Sequence, residues 1–217
     1  EYIMTVRMTV ACVALVLVAC DGKQQDREVE TYDAVENRSD ANARVDGTDS
    51  QMGEGELNVV CDHGTTVGVE TTVVDGVLII DGAGETNCEV NVPARYVNRF
   101  TVTGNGELRS EGPWDGVAFI DIQGSGDVDL DQVTASDLEI YSTGNAKLKI
   151  ADLSANALMV DLRGTSDATL AGSGGEATFM ATGDAVLDAQ DYEVENLTLD
   201  VSGNATVKAY AWGTVDG

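Results

Sequence analysis

Residues 100–108 read FTVTGNGEL, and this phrase recurs five times between residues 120 and 207. The later copies read IDIQGSGDV (120–128), IYSTGNAKL (140–148), VDLRGTSDA (160–168), FMATGDAVL (179–187) and LDVSGNATV (199–207). Their central glycines lie 20 residues apart, with one step of 19, at Gly104, Gly124, Gly144, Gly164, Gly183 and Gly203. A fixed period of this length is typical of a solenoid, in which each repeat buries its apolar face only against its neighbours.

The side chains of the repeat sort into columns when positions are counted from the glycine. Apolar residues occupy position −4, from Phe100 to Leu199, and position +4, from Leu108 to Val207. Position +2 holds only Gly, Ala or Ser, which suits a crowded inside corner. A third apolar position, nine residues after the glycine, predicts a cross-section with three sides; it holds Val133, Leu153 and Tyr192. Positions −1 and +1 are polar and are predicted to face outward.

The alternation of apolar and polar positions predicts short strands that meet at a glycine, which gives the backbone the freedom to bend. Because equivalent residues recur in every turn, the strands stack in parallel about 4.8 Å apart. We therefore predict an all-β fold, a right-handed parallel β-helix with about 20 residues per rung, where a rung is one turn of the solenoid. The helical alternative fails because the apolar spacing is two rather than 3.6.

The boundaries of this domain follow from where the alternation begins. Period-two patterns start at Glu56 and continue to Pro93, with a tight turn predicted at Asp75-Gly76. We predict the β-helix over residues 56–217, with irregular first turns over 56–97 and regular rungs over 98–217.

The preceding residues resemble an export signal and a tether. Residues 1–19 contain one basic residue and an apolar run, typical of a signal peptide. Leu17-Val18-Ala19-Cys20 resembles the lipobox of bacterial lipoproteins, which predicts lipidation of Cys20 and a membrane anchor. An ordinary cleaved leader is the alternative. Residues 20–55 have almost no large aliphatic side chains, so the sequence predicts a disordered polar stalk after the lipidated cysteine.

Charge and cysteine content limit the partners and the compartment. Acidic residues outnumber basic ones 38 to 12, and the net charge of −26 disfavours nucleic acid, which is bound through basic groups. The charge itself fits either solubility or attraction of cations. Once Cys12 leaves with the leader, Cys61 and Cys88 remain as an even pair, which an exported protein either bridges or keeps as two buried thiols.

Four stretches together resemble the head GIN domain of putative auto-transporter adhesins: Asp75–Ile80, Val90–Pro93, Phe100–Gly106 and Gly124–Val128. The similarity covers about residues 56–217. It implies a β-helical domain of unknown function on bacterial lipoproteins, without an established catalytic activity. The later corners depart from the Gly-Ser-Gly pattern, since Asn145-Ala146, Thr165-Ser166 and Asp184-Ala185 replace it.

Candidates for chemistry are sparse. Asp127, Asp129, Asp131, Asp161 and Asp167 could serve a polysaccharide lyase or hydrolase, which needs paired carboxylates. No long insertion between residues 100 and 209 builds a cleft for such an enzyme, and His63 is the only histidine. We expect no metal and no cofactor, because zinc needs more His or Cys, and the Gly-Gly-x-Gly-x-Asp calcium repeat does not occur.

An outward polar ladder is the remaining candidate for binding. Position +1 holds Asn105, Ser125, Asn145, Thr165, Asp184 and Asn204. Such groups suit carbohydrate hydroxyls, but beside a glycine they also satisfy the local backbone. Together with the resemblance, which implies a Gram-negative bacterium, the sequence predicts a non-catalytic lipoprotein of the cell envelope that acts as an adhesin-like or surface interaction module. We expect it to be anchored in the inner or outer membrane, with its folded part in the periplasm or outside the cell. A glycan or an envelope protein is its expected partner, and a carbohydrate-active enzyme is the alternative.

Overall fold

The computed structural model describes residues 24–48, 52–61, 68–82 and 88–217. The predicted leader (1–19) and Cys20 lie outside these ranges. Among the described residues, no helix is long and apolar enough to cross a bilayer. The strands are β1 (Gln24–Glu28), β2 (Ala34–Asn37), β3 (Asn42–Asp46), β4 (Glu56–Cys61), β5 (Glu70–Val74), β6 (Val77–Asp81), β7 (Cys88–Pro93), β8 (Arg99–Val102), β9 (Leu108–Glu111), β10 (Pro113–Asp115), β11 (Phe119–Ile122), β12 (Val128–Ser142), β13 (Lys147–Gly164), β14 (Asp167–Gly183), β15 (Val186–Gly203) and β16 (Thr206–Asp216), and a 3₁₀ turn covers Ala94–Tyr96.

The predicted parallel β-helix is confirmed. Strands β12 to β15 are 15 to 18 residues long, and each pairs in parallel with the strand that follows it. The repeat sets the register, because equivalent positions lie side by side: Gly164 pairs with Gly183, and Gly183 with Gly203. The second half of one strand and the first half of the next therefore make one rung.

The predicted inward columns form the core. Position −4 is fully buried from Phe100 through Phe179, and position +4 is at most 3% exposed from Leu108 through Leu187. The third side is also buried at Val133, Leu153 and Tyr192. Each buried aliphatic side chain contributes about 1.5–3 kcal/mol, so the repeated columns are the main source of stability.

The glycine corner takes two forms along the stack. At Gly124 a Cβ would lie 2.0 Å from the carbonyl oxygen of Gly104 in the previous rung, so close packing excludes any side chain. At Gly164 the corner instead requires a left-handed backbone, with φ of +90°. The change falls between Gly144 and Gly164, because at Gly144 a Cβ would still lie 1.9 Å from the carbonyl oxygen of Gly124, although Ala146 already replaces glycine at position +2.

The single 19-residue step has a defined place in the fold. Ile150 pairs with Leu170, and Leu153 pairs with Gly172, so a step of three residues in β13 lies opposite a step of two residues in β14. The missing residue is therefore absorbed at the second corner of the rung, where Gly172 has φ of +130°. The glycine corner and both of its flanking strands keep their register.

The structure corrects the predicted stalk. Residues 24–48 are described and contain three strands, and β2 and β3 form two sides of a rung of the solenoid. This rung lies between β6 and β7 on one side and β8 and β9 on the other, so the stacking order does not follow chain order. The β-helix therefore begins before residue 56.

This early rung is a seventh copy of the repeat that lacks its glycine. Ser39 stands at the glycine position, and Val35, Ala41 and Ala43 fill positions −4, +2 and +4. The side chain of Asn37 holds the bend, because its Nδ2 donates to the carbonyl oxygen of Ala41 (2.9 Å) and its Oδ1 accepts from Ser39 Oγ (2.7 Å). The stalk was predicted because large aliphatic side chains are few in this segment. Small apolar residues and a buried amide take their place in this rung.

Antiparallel strands extend the sheet at the end near the N terminus. Strand β4 pairs antiparallel with β1 and β7, and β5 pairs antiparallel with β6. Among the described residues of the predicted irregular turns, only β6 and β7 stack in parallel on the neighbouring rung. Cys61 and Cys88 lie opposite each other on β4 and β7 and form a disulfide bond.

A buried phenol gives a prediction about stability and pH. Tyr192 is 1% exposed, and its hydroxyl finds no hydrogen-bond partner among the described residues. We expect Tyr192→Phe to raise the free energy of unfolding by about 1 kcal/mol at neutral pH, because it removes an unsatisfied polar group.

The difference in the free energy of unfolding between Tyr192→Phe and wild type should increase at alkaline pH. Burial raises the pKa of Tyr192 to about 12. The folded phenol therefore keeps its proton above about pH 10, where the unfolded phenol loses it, so wild-type stability falls by about 1.4 kcal/mol per pH unit up to the folded pKa. Urea unfolding at a series of pH values measures this. Tyr210→Phe, at a half-exposed site, is the control, and parallel pH profiles for wild type and Tyr192→Phe would refute the assignment.

Candidate functional site

One face of the solenoid carries an open groove of about 570 Å³, which we call the outer groove. It spans three consecutive rungs, because β11 pairs with the end of β12 and that segment pairs with the end of β13. The outward residues of these strands stand at positions −5, −3 and −1. The groove is lined by Phe119, Asp121, Gln123, Tyr141, Thr143, Asp161 and Arg163.

Two aromatic rings form the apolar part of the outer groove. The ring centroids of Phe119 and Tyr141 are 5.4 Å apart and the rings are tilted by 38°. The guanidinium of Arg99 lies 4.6 Å from the centroid of the Phe119 ring, which places a cation over that ring. Both aromatic side chains are half-buried. The groove thus presents ring surface that is in contact with solvent.

The Tyr141 hydroxyl is held in its protonated form. Partial burial, together with the hydrogen bond to Glu139, raises the pKa of Tyr141. The hydroxyl donates to Glu139 Oε2 at 3.2 Å. The phenol is therefore a neutral donor and acceptor with a fixed orientation.

An ion pair closes one end of the outer groove. Arg163 donates from Nε to Asp161 Oδ1 (3.1 Å) and from Nη2 to Asp161 Oδ2 (2.6 Å). The Asp161 side chain is 4% exposed and that of Arg163 is 63% exposed, so the guanidinium covers the carboxylate. The hydrogen bonds to Asp161, with its charge, raise the pKa of Arg163. The two residues act as one nearly neutral unit that still has free N–H groups.

A second polar pair lies at the opposite end. Gln123 Nε2 donates to Asp121 Oδ2 at 2.6 Å, on the first of the three rungs. Thr143 occupies the middle of the row between Gln123 and Arg163. The outer groove therefore has hydrogen-bonding groups at both ends of its aromatic centre.

The predicted position +1 ladder is exposed, and its members bond to one another. Thr165 Oγ1 donates to Asn145 Oδ1, Asn204 Nδ2 donates to Asp184 Oδ1 (3.0 Å), and Asn105 Nδ2 donates to Asp40 Oδ1 (2.9 Å). Ser125 is also exposed. These exposed bonds join neighbouring rungs at three places along the ladder.

Three of the five candidate enzyme carboxylates bond to neighbouring groups, and the other two, Asp131 and Asp167, are exposed. The backbone N–H of Lys147 donates to Asp127 Oδ1 (3.0 Å), and Lys149 Nζ lies 3.4 Å from Asp129 Oδ1. Asp161 is held by Arg163. Within the described ranges, no group of three or more His, Cys, Asp or Glu side chains is arranged to hold a metal ion. His63 lies outside those ranges.

Sequence reasoning did not single out the aromatic groups of the outer groove. A signal was present, because Phe119 precedes the buried Ile120 and so breaks the alternation of apolar and polar residues. Tyr141 stands at position −3, which holds Asp in three of the six copies. Arg163 was recognised as outward, but its pairing with Asp161 follows only from side-chain conformation.

Comparisons with known proteins agree with the fold. A family model described as "Putative auto-transporter adhesin, head GIN domain" matches residues 32–217. A crystal structure titled as a putative lipid binding protein from Parabacteroides distasonis has a TM-score of 0.77 at 18% identity, over 88% of this chain and 82% of that chain.

Two further crystal structures are similar. A putative adhesin from Parabacteroides distasonis has a TM-score of 0.69 at 19% identity, over 90% of this chain and 97% of that chain. A putative adhesin from Parabacteroides merdae has a TM-score of 0.67 at 16% identity, over 89% of this chain and 94% of that chain. No curated protein matches the sequence. At these identities the structural likeness supports the fold alone.

Proposed function

Because the chain belongs to the head GIN domain family of putative auto-transporter adhesins, we propose that it is a non-catalytic interaction module of the bacterial cell envelope. The outer groove carries this proposal. Its rings and paired polar groups stand on three strands of one continuous parallel sheet, which holds them in fixed relative positions. Because these polar side chains are already held by hydrogen bonds to each other, they lose little conformational freedom when a ligand binds.

The bonding of the acidic side chains supports a role in binding rather than in catalysis. Asp127, Asp129 and Asp161 each bond to a group on their own or the next rung. The contacts of Asp127 and Asp129 link neighbouring rungs, and Arg163 covers Asp161. We therefore assign these carboxylates a stabilising role rather than a catalytic one.

Attachment tests the proposal directly. Cells that lack the gene should aggregate with one another less than wild-type cells and should attach less to a surface. The intact gene should restore both properties. The double variant Phe119→Ala/Tyr141→Ala should restore neither, although its surface level is unchanged. Equal attachment with and without the gene would refute the proposal. So would turnover of a polysaccharide by the purified protein that is lost on Asp127→Asn or Asp161→Asn.

Membrane attachment is proposed to occur through lipid on Cys20. Leu17-Val18-Ala19-Cys20 supports it, and three residues separate Cys20 from Gln24, where β1 begins. The anchor would therefore hold the antiparallel end of the solenoid near an inner or outer membrane of a Gram-negative bacterium, with the outer groove several rungs away. The folded part would lie in the periplasm or outside the cell.

Replacing the proposed lipid site should release the protein. We expect Cys20→Ala to move most of the protein from the membrane pellet to the soluble fraction, because no lipid can be attached. Cys12→Ala is the matched control, since Cys12 lies within the predicted leader, and it should stay in the pellet. Immunoblots of both fractions measure the distribution, and membrane retention of Cys20→Ala would contradict the anchor.

A further inference from the structure

We propose that the outer groove is a binding site for neutral saccharides. This assignment deepens the proposed function, because it names the ligand class of the same groove. A pyranose has a face of C–H groups and a rim of hydroxyls. A matching site needs exposed ring surface and, around it, polar groups that both donate and accept.

The ring surface lies at the centre of the groove. Tyr141 is on the middle rung, and Phe119 of the preceding rung packs beside it at 5.4 Å between centroids. Arg99 covers part of the Phe119 ring, so we assign Tyr141 as the stacking surface. The Tyr141 hydroxyl is fixed on Glu139 at 3.2 Å, which orients the ring. C–H groups of a sugar can pack on the solvent-exposed part of this ring.

Polar groups flank this ring on both sides at the spacing of the rungs. Asp121 and Asp161 are the register partners of Tyr141 on the neighbouring strands, so the row reads carboxylate, ring, carboxylate. Neighbouring strands lie about 4.8 Å apart, which lets hydroxyls on opposite edges of one pyranose reach both ends of the row.

The parallel row at position −1 supplies donors beside these acceptors. It consists of Gln123, Thr143 and Arg163, one on each of the same three rungs. Carboxylate oxygens accept hydrogen bonds from hydroxyls, whereas guanidinium and amide N–H groups donate to them. The Asp121–Gln123 end therefore offers an acceptor and a donor, whereas the other end offers guanidinium N–H donors, because Arg163 covers the Asp161 carboxylate. Sugar hydroxyls need this combination of donors and acceptors.

These groups are ordered before a ligand arrives. Asp121 is held by Gln123 at 2.6 Å, and Asp161 is held by two hydrogen bonds from Arg163. Pre-ordered side chains lose little conformational freedom on binding, which favours a weak ligand such as a single sugar unit.

The charge of the groove selects a neutral ligand. Arg163 is neutralised by Asp161, and the further cation at the groove, Arg99 over the Phe119 ring, is outnumbered by the carboxylates of Asp121 and Glu139. The whole chain has a net charge of −26, so uronate or sulfated polysaccharides are repelled both locally and at long range. The apolar lining consists of two half-buried rings, which is too little surface to cover a lipid chain.

A glycan array that carries neutral and acidic glycans tests this assignment. The probe is the full chain, purified and labelled. We expect binding to a subset of neutral glycans, with the affinity of Tyr141→Ala at least tenfold weaker, because the stacking surface is lost. Asp121→Asn should weaken binding less, since the amide oxygen still accepts. Tyr210→Ala removes a half-exposed aromatic residue elsewhere and should bind like wild type.

The possible outcomes separate this assignment from the proposed function. Binding only to acidic glycans, no glycan binding, or neutral-glycan binding that Tyr141→Ala leaves unchanged would each overturn the saccharide site. If cell attachment nevertheless depends on Phe119 and Tyr141, the interaction module stands and its partner is a protein. Circular dichroism and unfolding midpoints should be unchanged for each variant, which shows that a loss of binding does not come from unfolding.

Discussion

Replacing Trp114 by alanine is expected to lower the free energy of unfolding by about 3–5 kcal/mol. Its side chain is fully buried and packs edge-on against Phe100, with 6.4 Å between ring centroids. Its indole Nε1 also donates to the carbonyl oxygen of Val97 at 2.7 Å. Alanine would therefore leave a large cavity and a buried carbonyl without its donor.

Urea unfolding followed by circular dichroism measures the effect, and the chain supplies its own control. The other tryptophan, Trp212, is 61% exposed, so Trp212→Ala should change stability by less than about 0.5 kcal/mol. Trp114→Phe keeps most of the packing and should lie between the two. If Trp114→Ala were no more harmful than Trp212→Ala, Trp114 would not be part of the core.

Substituting a glycine at a stacked corner should destabilise the fold by about 3 kcal/mol or more. In Gly124→Ala the new Cβ would lie 2.0 Å from the carbonyl oxygen of Gly104. Backbone cannot rotate away as a side chain can, so the rungs must separate at the corner and lose hydrogen bonds between them.

Gly116→Ala distinguishes this clash from ordinary backbone strain. Gly116 has φ of +80°, but a Cβ there would meet nothing within 4 Å. The expected cost is about 1–2 kcal/mol, from the left-handed backbone alone. Thermal unfolding of both variants provides the comparison. A loss for Gly124→Ala no greater than that for Gly116→Ala would show that the rungs are not packed as tightly as described.

The regular rungs were predictable because their chemistry is periodic. A strand places alternate side chains on opposite faces, so apolar positions −4 and +4 had to face inward. The repeat also fixed the register, since only like-on-like stacking buries every copy of Phe100 and Leu108 together. Small residues at position +2 had to lie where neighbouring backbones approach each other.

The early rung was missed because its signal is weak. Residues 34–46 repeat the polarity pattern with Val35, Ala41 and Ala43, but Ser39 replaces the glycine on which the copies were aligned. Composition predicted disorder because the large aliphatic residues are few. Burial of Asn37 and Ser39 compensates through hydrogen bonds that no composition measure counts.

The outer groove was missed for a different reason. Sequence columns describe one position at a time, and each outward column is polar on average. The groove exists because Phe119, Tyr141 and Arg163 come from three different columns on three successive rungs. Which residues meet diagonally depends on side-chain conformation as well as on register.

The sequence by itself determined the solenoid, its period and the direction of each column in the regular rungs, because local alternation and repetition specify which face is buried. Tertiary structure alone decided that β2 and β3 enter between β6–β7 and β8–β9, since strand pairing is non-local and the alternation in a strand does not name its neighbour. It also decided that Asp161 lies beneath Arg163 at the end of an aromatic groove, because side-chain contacts across rungs depend on three-dimensional packing.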